Sequence, residues 1–282
     1  MPIIVGVPRS GTTLLRFILD AHPQLAIPPE TGFLLNETLL RNPAPAAELA
    51  RALTLLPESA PAWADFALDA DHFIDAAACL PAQAGLPQVL RLFYKLYAAR
   101  LGKPRFGDKT PSYLQRMRTV AEQLPEARFI HILRDGRDVA LSWGQTWFAP
   151  DREPELLIAR WAQLIGDARQ QGQGLPYLEV RYDQLLNEPE IQTRRICEFI
   201  ELDFHPAMLD YHLGSASRLE EHQARIRSDG QLLVSKEQRL HQQWRTTLPP
   251  DTSRLDVWRH QLSPAQQAAC KRAGGELLAE FD

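Results

Sequence analysis

The sequence predicts a three-layer α/β protein, a parallel sheet flanked by helices with a helical insertion beside it, and three observations predict it. A β-branched run, Pro2-Ile3-Ile4-Val5-Gly6-Val7, passes through a Pro/Gly loop into Leu14-Leu15-Arg16-Phe17-Ile18-Leu19, so strand, loop and helix follow at once. The same order returns at Ala127-Arg128-Phe129-Ile130-His131-Ile132-Leu133, ahead of an amphipathic helix that runs to about Trp147, and again at Tyr177-Leu178-Glu179-Val180-Arg181, ahead of a helix through Ile196 and Phe199. From about residue 31 to residue 105 the spacing is helical, rich in Ala and Leu. Strands alternating with helices imply a parallel sheet.

Between these units, Gln24-Leu25-Ala26-Ile27 reads as a second short strand that ends at Pro28-Pro29-Glu30, and residues 37–105 as the insertion. Residues 214–250 are polar, broken by Gly230, and read as a loop or lid. Residues 251–282 read as terminal helices, with Ser263 as N-cap and Pro264 in the first position. No internal repeat or second domain is evident, so residues 1–282 are expected to form one domain.

Composition narrows the function. With 282 residues, 45% hydrophobic and 23% charged, the chain can bury a core without disulfides or a structural metal. A net charge of −4 argues against general attraction to nucleic acid or an anionic membrane, so an anion site must be built locally. Cys79, Cys197 and Cys270 are scattered and odd in number, which fits neither a disulfide framework nor a zinc site, and the eight histidines show no ligand spacing. No apolar stretch nears the ~20 residues of a membrane span, and no signal segment opens the chain. A cytoplasmic protein is expected.

Gly6-Val7-Pro8-Arg9-Ser10-Gly11-Thr12-Thr13 lies between the first strand and its helix, where backbone N–H groups and a helix N-terminus cradle phosphate. The spacing is that of a P-loop. A nucleotide triphosphatase carries Lys after the second glycine; here that position is Thr12 and the cation has moved to Arg9, which argues against ATP or GTP hydrolysis. The alternative is a bare strand-to-helix turn with capping hydroxyls.

Pro8 to Leu15 resembles the 5′-phosphosulfate loop of the sulfotransferase family, and Phe129 to Trp143 resembles that family's 3′-phosphate motif. Phe106-Gly107-Asp108-Lys109-Thr110-Pro111 and Arg181-Tyr182-Asp183-Gln184-Leu185-Leu186 also look like recurring segments of it, so the resemblance spans roughly residues 3–35 and 105–205. The motifs are more similar to the tyrosylprotein branch and its bacterial relatives than to the cytosolic steroid and phenol branch. The resemblance implies a P-loop-type sheet and transfer of a sulfuryl group from 3′-phosphoadenosine 5′-phosphosulfate to a hydroxyl. It places Arg9, Ser10, Gly11, Thr12 and Thr13 on the 5′-phosphosulfate and Arg134 and Ser142 on the 3′-phosphate, with Tyr182 also at the cofactor. No metal is required, because a sulfuryl group carries less charge than a phosphoryl group and two arginines can compensate it.

An alcohol is a poor nucleophile at neutral pH, so transfer needs a base. Glu30 is the leading candidate, directly after the second strand, with His22 as rival. Lys109 resembles a lysine near the transferring group that would share the leaving oxygen with Arg9; the alternative is a surface lysine in a turn. Ser228, Ser235 and Lys236 stand where the family often closes a loop over the donor. The acceptor is expected to be a small-molecule, lipid or glycan hydroxyl in preference to a peptide tyrosine, chosen by Trp63, Phe66, Phe73, Tyr94, Trp143 and Trp147 if these are not simply core. The rival classes are a P-loop kinase of a small metabolite and a non-catalytic nucleotide-binding module.

Overall fold

In the computed structural model, which describes residues 1–282, the central sheet has four parallel strands in the order β4-β1-β5-β6. β1 (Pro2–Val5) leads to α1 (Thr12–Asp20) and then to β2 (Leu25–Ala26). The insertion follows as α2 (Glu37–Arg41), α3 (Ala46–Thr54), α4 (Ala70–Ala78) and α5 (Leu86–Arg100). β3 (Arg105–Phe106) and β4 (Asp108–Lys109) return the chain to the sheet, and α6 (Met117–Gln123) leads to β5 (Arg128–Leu133). After α7 (Gly136–Gly144) and α8 (Pro154–Gly172), β6 (Tyr177–Arg181) completes the sheet, followed by α9 (Tyr182–Asn187) and α10 (Pro189–Phe199).

The strands read as unbroken apolar runs because both faces are covered. Ile3, Val5, Phe129 and Leu133 face one cluster with α5, α7, α8 and the terminal helix; Ile4, Ile130, Ile132 and Val180 face a second with α1, α9 and α10. Each such side chain contributes about 1.5–3 kcal/mol by leaving water, so alternate residues of one short strand staple two helical layers to one sheet. The three-layer arrangement follows.

Three expectations change. The run Gln24–Ile27 forms only the two-residue β2, which pairs with β3 in a separate two-stranded sheet rather than joining the main one. β3 and β4, absent from the sequence reading, are too short and polar to have periodicity, and Gly107 between them lies so close to Pro2 that a Cβ would stand 2.8 Å from its carbonyl oxygen. Residues 214–250 are not a loop: they fold as α11 (His212–Leu219), a hairpin of β7 (Arg225–Ile226) and β8 (Leu232–Val234), and α12 (Lys236–Gln243) with a 3₁₀ turn after it. The chain ends in α13 (Trp258–Gln261) and α14 (Pro264–Ala279), the latter opened by Ser263 in a capping box with Gln266. No helix is long and apolar enough to cross a membrane.

Candidate active site

All four strands of the main sheet present their C-terminal ends to one edge, and β1 has β4 on one side and β5 on the other. Open α/β sheets bind ligands in the crevice where strand order divides. The loop after β1 lies in it, joined there by residues that follow β4 and β5.

That loop is shaped by two left-handed residues, Arg9 (φ 73°) and Gly11 (φ 103°). Gly11 precedes α1, whose first-turn amides carry no side-chain cap, so they point into the crevice with the positive end of the helix dipole. Ser10, Thr12 and Thr13 are buried around them. A Cβ on Gly11 would stand 2.4 Å from the Tyr182 ring, so loop and ring are fitted to each other. Gly11→Ala is therefore expected to add about 1–2 kcal/mol of left-handed strain besides displacing Tyr182, lowering Tm by several degrees in a calorimetric melt.

Arg9 reaches across to α7. Its Nε donates to Ser142 Oγ at 3.1 Å and its Nη2 to the Gln242 carbonyl at 3.1 Å. Arg134, one residue past β5 and 7% exposed, donates to the Arg9 carbonyl (3.3 Å) and the Arg254 carbonyl (2.7 Å) and lies over the Tyr182 ring at 4.8 Å. Its Nε is buried without a partner. Burial, then the fields of Arg134 and Arg254, hold the Arg9 guanidinium below its ordinary pKa. This corner concentrates positive charge, and a buried donor without an acceptor fits an anionic ligand.

On the other side of β1, Lys109 ends β4 and is only 1% exposed. It is not a surface lysine. Its Nζ donates to Glu30 Oε1 at 2.6 Å, while the Glu30 side chain stays 53% exposed toward the crevice. Burial lowers the Lys109 pKa and Glu30 opposes it.

Glu30 is held by a network the sequence reading did not find. Thr31 Oγ1 donates to the buried Asp108 carboxylate (2.7 Å), Tyr94 OH does the same (2.8 Å), Thr31 N donates to Thr110 Oγ1 (3.2 Å) and Leu34 N to Tyr113 OH (3.0 Å). Burial raises the Asp108 pKa, and the hydroxyls of Thr31, Thr110 and Tyr94 counter that. The signal was present, since Asp108 and Thr110 flank Lys109 in one singled-out segment, but the partner Thr31 is 77 residues away.

The structure gathers Arg9, Ser10, Gly11, Thr12, Thr13, Arg134, Ser142 and Tyr182 at one corner and Glu30 with Lys109 beside it. It leaves others out. His22 lies past the far end of α1, its ring nitrogens engaged by the Gln24 amide and the Asp203 carbonyl. Ser235 caps α12, Lys236 pairs with Glu220 at 2.8 Å, and Ser228 meets the Ser59 carbonyl through its amide. Trp63, Phe66, Phe73 and Tyr94 are core, Trp63 stacking on Phe73 at 5.1 Å, and Trp143 is buried; only Trp147 of the expected acceptor aromatics is exposed. His131 is buried within β5 beside Tyr177, and burial pushes its pKa down to about 4. Arg254 was missed altogether: it enters because Asp138 accepts the amides of Asp256 (3.0 Å) and Trp258 (3.1 Å), fastening this polar segment to α7.

The family model for the sulfotransferase family matches residues 3–206, most of the chain and every strand of the sheet. The chain belongs to the sulfotransferase family. It is 26% identical to the nodulation protein NoeE of Sinorhizobium fredii, over 99% of this chain and 64% of that protein. It is 28% identical to the protein-tyrosine sulfotransferase of Drosophila melanogaster, over 75% of this chain and 40% of that protein. The chain thus spans less than two thirds of either. Among solved structures, the sulfotransferase domain of the Synechococcus PCC 7002 olefin synthase superposes with a TM-score of 0.64 at 24% identity, covering 99% of this chain and 94% of that one. A mouse sulfotransferase solved with 3′-phosphoadenosine 5′-phosphate (PAP) superposes at 0.50 and 13% identity.

Proposed function

We propose that this chain transfers a sulfuryl group from 3′-phosphoadenosine 5′-phosphosulfate to an acceptor hydroxyl, with Glu30 as base. The observation that carries this is the meeting, at the C-terminal ends of β1, β4 and β5, of Arg9, Lys109 and Arg134 around an uncapped helix N-terminus, with one carboxylate facing the crevice. The donor supplies the sulfuryl group and departs as the bisphosphate.

Arg9 and the first-turn amides of α1 are suited to the 5′ side, and Arg134, Ser142 and Tyr182 to the 3′-phosphate. Bonded to Lys109 and facing the crevice, Glu30 takes the acceptor proton as the new oxygen–sulfur bond forms and the bond to the phosphate oxygen breaks. Protonation of Glu30 frees the Lys109 charge, which then adds to that of Arg9 at the departing oxygen.

Small-molecule, lipid or glycan hydroxyls are the acceptors we favour over a peptide tyrosine. The three free cysteines suit a reducing, cytoplasmic compartment. The test is calorimetric titration with PAP, adenosine 5′-phosphate and magnesium-ATP. Tightest binding of PAP is expected; tightest binding of magnesium-ATP would favour the kinase reading, PAP binding without sulfuryl transfer the non-catalytic nucleotide-binding module, and no binding would overturn the donor site.

A further inference from the structure

Asp65 is a buried carboxylate of the insertion, outside the candidate site. It sits in the 3₁₀ turn Trp63–Phe66, 1% exposed. Its neighbours fix it: Trp63 stacks on Phe73, Phe66 meets Phe93 edge-on at 4.9 Å, and the Trp63 indole donates to the Leu68 carbonyl. The turn is thereby part of the rigid core of the insertion.

Every partner of the Asp65 carboxylate belongs to the C-terminal segment. Its Oδ1 accepts from Gln223 N (2.9 Å) and Arg239 Nη1 (2.9 Å), and its Oδ2 from Arg225 Nη2 (2.7 Å) and Arg239 Nη2 (2.7 Å). Arg239 grips the carboxylate with both prongs of its fork and also donates to the Gln223 carbonyl. The hairpin is tied to the insertion a second time, by Ser228 N on the Ser59 carbonyl at 3.2 Å.

The consequence lies at the other end of α12. Arg239 and Gln242 are three residues apart, hence on one face of that helix, and the Gln242 carbonyl is the acceptor of Arg9. Arg225, in β7 near the start of the segment, shares the Asp65 Oδ2 with Arg239. Residues 223–243 therefore bridge from the insertion to the phosphate loop.

We infer that Asp65 is the latch of a cover, residues 223–243, and acts as a positioning residue that controls passage of the donor nucleotide to and from Arg9; this rests on the donor site proposed above. The Asp65 carboxylate bonds only to the cover, so the latch holds it equally with the site filled or empty. A contact of equal strength in both states leaves the binding equilibrium unchanged and alters only how often the cover opens.

Asp65→Asn keeps the volume and one acceptor oxygen but removes the charge that two arginines share. In surface plasmon resonance with PAP as analyte, both association and dissociation rates are expected to rise about tenfold while Kd stays within about threefold. Hydrogen exchange should quicken at amides 225–243 and stay unchanged in β1 and β5. Asp65→Asn combined with Arg239→Gln should be no faster than Asp65→Asn alone, because both break the same contact. Unchanged rates and exchange would overturn the latch, as would a rise in dissociation alone with Kd following it, the mark of a contact made only in the filled state. Should Asp65→Asn not fold, Arg239→Gln, which leaves Asp65 its bond to Arg225, carries the same measurements. If the unaltered protein does not bind PAP, the donor reading fails, and hydrogen exchange still decides whether Asp65 fastens the cover.

Discussion

Glu30→Gln is expected to lower turnover by about 10²–10⁴-fold while PAP affinity stays within about threefold of the parent. The pairing with Lys109 gives this substitution a second effect. Gln retains an oxygen that can accept from Lys109 Nζ but no charge, and Lys109 is 1% exposed, so an ammonium there loses its counterion while staying desolvated. Glu30 raises the Lys109 pKa against the larger pull of burial; with it gone, the lysine pKa falls further. The sign is that of a depressed lysine, so the variant's stability falls as pH drops and Lys109 must charge in a buried site. A base that has been lost and a lysine that has been neutralised are separable. Glu30→Asp, which keeps charge but withdraws it by one methylene, should leave Lys109 charged yet still impair transfer, read as lower kcat with unchanged PAP affinity. If Glu30→Asp has full kcat and Glu30→Gln loses it only in proportion to lost stability, Glu30 is the counterion of Lys109 and another group takes the proton.

The two halves of this site were unequally legible in the sequence, for a physical reason. Arg9 to Thr13 and Arg134 to Ser142 are each local: a strand buried on both faces, a turn and a helix start, all within about fifteen residues, so periodicity and loop chemistry locate them without knowledge of the fold. The Lys109 half is nonlocal. β3 and β4 have two residues each, and Arg105, Asp108 and Lys109 carry no strand signature. They extend because Ile3 and Ile4 pair with Asp108 and Lys109, and Leu25 and Ala26 with Arg105 and Phe106. A lysine at the edge of such a strand reads as a turn residue until its neighbours are in place.

Residues 214–250 mark the opposite failure. Polar composition there suggested a loop, and polarity is a fair sign of one when the charges are solvated. Here Arg225 and Arg239 are spent on Asp65, 160 and 174 residues away, and Arg218 on Asp20, 198 residues away. Charges that find buried partners across the fold cost a hairpin and two helices nothing in order, and no window of sequence contains both members of such a pair. The aromatics of the insertion stay open in sequence for the same reason: their spacing does not say whether they face an acceptor or, as Phe33, Trp63, Phe66, Phe73 and Phe93 do, one another.

Arg134→Ala should weaken PAP about 100-fold, the loss of charge-assisted bonds to a phosphate in a desolvated corner. Arg134 has a structural duty that complicates the reading, since it donates to the carbonyls of Arg9 and Arg254 and its removal loosens both the phosphate loop and the segment behind it. Adenosine 5′-phosphate separates the two effects. It keeps the 5′ group that the loop would hold and lacks the 3′ group, so a residue that reads the 3′-phosphate affects PAP and spares adenosine 5′-phosphate, whereas a prop for Arg9 affects both alike. Ser142→Ala should give a smaller change, about three- to tenfold for PAP, because a neutral hydroxyl contributes about half of what a charged donor does and because the variant also frees Arg9 Nε from its 3.1 Å bond. Equal losses for the two nucleotides in Arg134→Ala would move the 3′-phosphate away from β5, and the guanidinium that lies over Tyr182 would then be a support of the loop.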